Sequence, residues 1–157
     1  MLEGRSAIVT GGGSGFGAEM ARVFADAGAN VLVADLNEAG AGALAEELHA
    51  KGRKAVALRV DVTSKAEVDR MVSTAVAAFG GLDILVNNAG TLGAQGTLED
   101  TSEAAFDAMF AVNVKGVFLG SSAAIRHFRA QKRGVIINIA SGSALRPRAG
   151  AVAYSAS

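Results

Sequence analysis

The 157 residues carry Lys+Arg 15 against Asp+Glu 15, with 50% hydrophobic and 19% charged side chains and no cysteine. That length supports one domain with a core, and the composition excludes a disordered chain. Zero net charge argues against partners such as nucleic acid or an anionic membrane, and the lack of cysteine excludes disulfides, thiolate nucleophiles and Cys-based metal sites. The two histidines, His49 and His127, stand far apart in sequence, so no metal is expected. Met1 to Arg5 lacks the apolar run of a signal peptide, and no window reaches the roughly eighteen apolar residues of a membrane span. The expected address is the cytoplasm.

In chain order, short apolar runs closed by a polar or glycine residue read as strands at Ser6 to Thr10, Asn30 to Asp35, Lys54 to Val60, Leu82 to Asn87 and Val135 to Asn138. Alanine-rich segments of helical spacing lie between them: Gly15 to Ala27, Glu38 to Lys51, Lys65 to Phe79 and a long one from about Ser102 to Gln131. Gly28, Gly52, Gly80 with Gly81, and Gly134 stand where helices should stop, and Ser64-Lys65-Ala66-Glu67 reads as a capping box. Such alternation predicts an α/β fold, a Rossmann-like doubly wound parallel sheet with strand order 3-2-1-4-5. Residues 1–157 read as one domain without repeats or linkers. Val135-Ile136-Ile137, apolar at consecutive positions, has the pattern of a strand buried on both faces, yet only a loop and the start of a helix follow it. It is expected to be an exposed edge, and the domain to be incomplete at its C-terminus.

Thr10-Gly11-Gly12-Gly13-Ser14-Gly15-Phe16-Gly17 follows the first strand and opens the first helix. Glycines there permit a tight turn and let a pyrophosphate approach helix N-terminal amides, although a flexible loop has the same composition. Asp35 ends the second strand 24 residues after Gly11, where an acid can accept hydrogen bonds from an adenosine ribose or simply cap a helix. Strand, glycine turn, helix, strand and acid in that order favour a dinucleotide. A carboxylate at Asp35 repels a 2′-phosphate, so NAD is expected rather than NADP. Asp61-Val62 follows the third strand, where Asp61 can be a plain turn residue; Asn87-Asn88-Ala89-Gly90 closes the fourth and alone would read as a turn. Asn113 interrupts an apolar helical face, where it can satisfy neighbouring backbone groups.

These motifs resemble the short-chain dehydrogenase/reductase family from end to end of the chain. Thr-Gly-x-x-x-Gly-x-Gly is its cofactor motif, and the resemblance implies cofactor contacts from Gly11, Gly13, Ser14, Gly15, Phe16, Gly17, Asp35, Leu36, Asp61, Val62, Asn88, Ala89 and Gly90. Ser14 and Leu36 occupy positions where NADP-preferring relatives often carry a basic residue, and neither is basic. Ser141 lies 13 positions before Tyr154, the family's serine-to-tyrosine spacing, and that offset selects Ser141 over Ser143. Ala140 departs from the pattern, since the family often has a second serine there. Tyr154-Ser155-Ala156-Ser157 matches Tyr-x-x-x-Lys up to its last letter, so the chain is expected to be truncated just before the active-site lysine.

The resemblance implies hydride transfer between NAD(H) and an alcohol or ketone. Tyr154 would act as general acid/base, Ser141 would hold the substrate oxygen, and Asn113 would hold a water in a proton relay. A free phenol ionises near pH ~10, so at pH 7 about one in a thousand is phenolate, and the family lysine supplies the missing positive charge. A chain that naturally ended at Ser157 would instead be a non-catalytic dinucleotide-binding or assembly protein. The family assembles as dimers or tetramers through the long helix and the one that begins at Tyr154, so the intact protein is expected to be a homo-oligomer.

Overall fold

The computed structural model describes residues 1–93 and 96–157. Five parallel strands, β1 (Ser6–Thr10), β2 (Asn30–Asp35), β3 (Ala55–Arg59), β4 (Ile84–Asn87) and β5 (Val135–Asn138), form one sheet in the order β3-β2-β1-β4-β5. The predicted fold class and strand order are therefore observed. The third and fourth strands are shorter than expected, at Ala55–Arg59 and Ile84–Asn87, although Lys54, Val60 and Asp83 still bond the neighbouring strands through their backbones.

Strand periodicity sorts the core into two layers. Ala7, Val9, Val31, Val33, Ile84 and Val86 face α1 (Gly15–Asp26) and α2 (Glu38–Ala50). Ile8, Leu32, Ala34 and Leu85 face α3 (Lys65–Phe79) and α5 (Val117–Gln131). Burial on both faces explains the continuous apolar runs of β1 and β2. Gly120 lets α5 close onto β4, since a Cβ there would stand 2.4 Å from Asn87 Oδ1.

Helix termini follow local chemistry, with corrections. Ser64 Oγ accepts the Glu67 amide at 3.4 Å, but the Glu67 carboxylate accepts the Asp61 amide at 2.9 Å and pairs with Arg59. The reciprocal half of the expected capping box is thus diverted to the end of β3. Gly80 ends α3 in the left-handed region at φ 81°. At the end of α5 that conformation falls to Lys132 at φ 58°, two residues before the expected stop at Gly134.

The long helix differs most from expectation. It is interrupted, running as α4 (Glu103–Phe110), a π turn (Ala111–Gly116) and α5. Contrary to the sequence expectation, Glu103–Gln131 is long and apolar enough, by length and composition, to cross a membrane. Leu119, Ala123, Ala124 and Phe128 of that stretch are buried against the sheet and α3, as befits the central helix of a doubly wound fold.

Candidate functional site

Strand order reverses between β1 and β4, and a crevice opens beyond the carboxyl ends of these strands, where doubly wound folds bind ligands. Its volume is about 610 Å³, and Gly11, Phe16, Asp35, Asp61 and Asn88 are among its lining residues. Of the sequence candidates, Ser14, Gly17, Leu36, Val62, Ala89 and Gly90 also line it. Gly13 and Gly15 do not; they shape the loop instead. Val60, Thr91, Ala108 and Val112 line it without having been anticipated, because their apolar or small side chains carry no ligand signature in sequence.

Close approach explains the glycines. A Cβ on Gly17 would stand 2.0 Å from the Gly11 carbonyl oxygen, and one on Gly11, at φ 63°, would stand 2.9 Å from Ala89 Cα. A Cβ on Gly15 would meet nothing within 4 Å, so the loop backbone is open to a ligand there. α1 begins at this point without a side-chain cap, leaving first-turn amides free to meet an anion.

Asp35 does more than face the crevice. Its Oδ2 accepts the Gly13 amide at 2.8 Å and its Oδ1 accepts the Asn37 amide at 2.9 Å, so the end of β2 braces the glycine loop. Each oxygen retains a second lone pair for an incoming hydroxyl donor. Thr63 donates to Asp61 Oδ1 through its hydroxyl (2.8 Å) and its amide (2.9 Å), and these bonds hold the Asp61 carboxyl below the usual carboxylate range.

The floor is a staple between β1 and β4. Thr10 Oγ1 accepts the Asn88 and Ala89 amides at 3.0 and 3.1 Å and donates to the Val86 carbonyl at 3.2 Å. Asn88 Nδ2 returns hydrogen bonds to the Thr10 and Gly11 carbonyls at 2.9 and 3.2 Å. Asn87, 4% exposed, turns the other way and donates to Ser121 Oγ and Asn138 Oδ1. The Asn-Asn pair therefore locks the sheet on one side and the glycine loop on the other.

Asn113 sits within the π turn. Its Oδ1 accepts the Thr91 amide at 2.8 Å, and its Nδ2 donates to the Thr91 carbonyl at 3.0 Å and to Ser157 Oγ at 2.8 Å. Tyr154 lies half-buried in the short helix α6 (Val152–Ala156), beside Leu92, Thr101 and Met109. Ser141 caps a 3-10 turn (Gly142–Ala144) that packs against α6, its Oγ accepting the Ser143 amide at 3.1 Å. A second concavity, about 560 Å³, is lined only by α3 and α5 side chains, and its Asp69 and Arg126 already pair at 2.6 Å. No strand end opens into it, so the β1/β4 crevice is the candidate site.

The short chain dehydrogenase model matches residues 5–157. Over 156 residues the chain is 47% identical to 4-formylbenzenesulfonate dehydrogenase of Comamonas testosteroni, covering 99% of this chain and 62% of that protein. Among solved structures it is similar to a 3-ketoacyl-(acyl-carrier-protein) reductase from Brucella melitensis complexed with NADH, at TM-score 0.93 and 42% identity, covering 99% of this chain and 64% of that one. It is also similar to an NAD+-bound xylitol dehydrogenase, at TM-score 0.95 and 30% identity, covering 99% and 60%. The chain thus spans about three fifths of the length of the curated relatives it matches. With the glycine loop, the Asn-Asn staple and the strand order all in place, the chain belongs to the short-chain dehydrogenase family.

Proposed function

We propose that the protein carrying this chain is an NAD-dependent oxidoreductase of alcohols and ketones, with Tyr154 as its general acid and base. One observation carries the reading. The crevice bounded by the glycine loop and Asp35 is joined through Thr91 and Asn113 to the helix that bears Tyr154. The residues fit a dinucleotide: bare loop backbone and uncapped α1 amides suit a pyrophosphate, while Asp35 suits a ribose with a free 2′-hydroxyl. When bound, the nicotinamide supplies the carbon that accepts or gives the hydride.

The chain's own residues would handle the proton and the substrate. Tyr154 moves the proton of the reacting hydroxyl, and Ser141, on the turn that packs against α6, holds the substrate oxygen. The exposed Phe106, Val114, Phe118 and Ile125 along the interrupted helix support a homo-oligomer; a monomer in sedimentation analysis of the whole protein would count against that part.

The test is NAD-linked oxidation of a panel of secondary alcohols by the whole protein and by its Tyr154→Phe variant. Turnover should fall by ~10²–10⁴ in the variant while NAD binding changes by less than about twofold. Wild-type turnover from the variant would sink the assignment. NAD binding without turnover of any alcohol or ketone by the unmodified protein would leave a non-catalytic dinucleotide-binding protein.

A further inference from the structure

The helix that carries Tyr154 starts at Val152 without a side-chain cap, because its N-cap, Ala151, offers no acceptor. Its first-turn amides draw no support from a capping group, so its placement leans on tertiary bonds. Of its neighbouring serines, Ser155 has a buried Oγ with no partner among the described residues. Ser157 is different.

The Asn113 carboxamide has a determined orientation, because the Thr91 amide can only donate and the Thr91 carbonyl can only accept. Nδ2 must therefore be the atom that faces Ser157 Oγ at 2.8 Å, and that oxygen is the acceptor. The hydroxyl proton of Ser157 is left to donate, and the Tyr154 carbonyl lies 3.0 Å away. One chain of hydrogen bonds thus runs from Thr91 at the crevice wall, through the π turn, to the backbone of Tyr154.

We propose that Ser157 is a positioning residue that fixes the Tyr154 helix against the π turn by accepting from Asn113 and donating to Tyr154. The catalytic consequence rests on the oxidoreductase reading above, whereas the positioning itself does not. Alanine at 157 removes both bonds and leaves an Asn113 N–H unpaired. Threonine keeps the hydroxyl and both bonds.

Two readouts separate the claims. In the whole protein, Ser157→Ala should lower kcat about tenfold, with KM for NAD changed by less than about twofold, and Ser157→Thr should recover most of the loss. In the whole protein, the difference in tyrosine emission between each variant and its Tyr154→Phe counterpart isolates the signal of Tyr154 and reports its surroundings. Acrylamide quenching should rise about twofold in Ser157→Ala and return to the wild-type value in Ser157→Thr. Unchanged kcat and unchanged quenching in Ser157→Ala overturn the proposal. So does a loss of kcat that is accompanied by equal loss of NAD binding and is not recovered by threonine, which would mark a merely structural role. Increased quenching in a protein that turns over no alcohol would uphold the positioning and sink the oxidoreductase reading.

Discussion

At the scale of single residues, Asp35 has two tasks that one substitution can test together. Its carboxylate faces the crevice and also accepts the Gly13 amide, so removing it relaxes both the ribose contact and the loop. Asp35→Ala is expected to weaken NAD binding about tenfold, ~1.4 kcal/mol, and to narrow the preference over NADP. Dissociation constants for both dinucleotides check this, and tighter binding of NADP by the unmodified protein would refute the cofactor assignment. Gly17 has no such latitude, because a Cβ there would meet the Gly11 carbonyl oxygen at 2.0 Å. Gly17→Ala should abolish NAD binding and cost about 1–3 kcal/mol of stability in urea, as overpacking does elsewhere.

At the scale of elements, ion pairs at the opening ends of the strands make stability depend on pH. Asp83 precedes β4; its Oδ2 accepts the Ser6 amide, and its Oδ1 pairs with Arg5 and Arg133, each at 3.0 Å. Burial pushes the Asp83 carboxyl up, but the Ser6 amide and the two guanidinium groups outweigh it and hold it below the ordinary carboxylate range. The folded state therefore binds this proton less readily than the unfolded state. The stabilisation is complete above the unfolded value of about 3.9 and is lost as pH falls through the lower folded value. Urea titrations between neutral pH and about pH 3 should show less acid loss in Asp83→Asn than in the unmodified chain. An identical acid slope in both would contradict the assignment. The long helix shows how elements depend on one another: the π turn places Asn113 where one side chain bonds both Thr91 and Ser157, and neither bond is local in sequence.

At the scale of the whole fold, β5 is the outer strand of the sheet formed by these 157 residues. Among the described residues it pairs with β4 alone, and the alternating Val135 (54% exposed) and Ile137, with Ile139 just beyond the strand, leave one of its faces bare. An apolar parallel strand with unpaired backbone groups is a template for association. Sedimentation velocity of the 157-residue chain should show concentration-dependent self-association, and Ile137→Lys should suppress it. A chain that remains monomeric at all concentrations would show that this edge is not adhesive.

The five strands, their parallel order and the first-turn glycines were legible in the sequence because each rests on short-range rules: consecutive apolar residues, alternating elements, and glycine at positive φ. Asp35 and Asn88 were legible as candidates because each closes or follows a strand, whereas Tyr154 was a candidate only through its resemblance to the family's Tyr-x-x-x-Lys motif. Their partners were not. That Asp35 braces Gly13, that Glu67 deserts its capping box for the Asp61 amide, and that Asn113 reaches Ser157 are contacts 22, 6 and 44 residues apart. Side chains with several acceptors or donors choose among competing partners by distance and desolvation, and only the assembled fold supplies those distances. The π turn belongs to the same class, because alanine, valine, asparagine and lysine at 111–115 carry no mark of it. Sequence alone determined which elements form and in what order; tertiary packing decided which polar groups meet, because hydrogen bonds are won by geometry at close range.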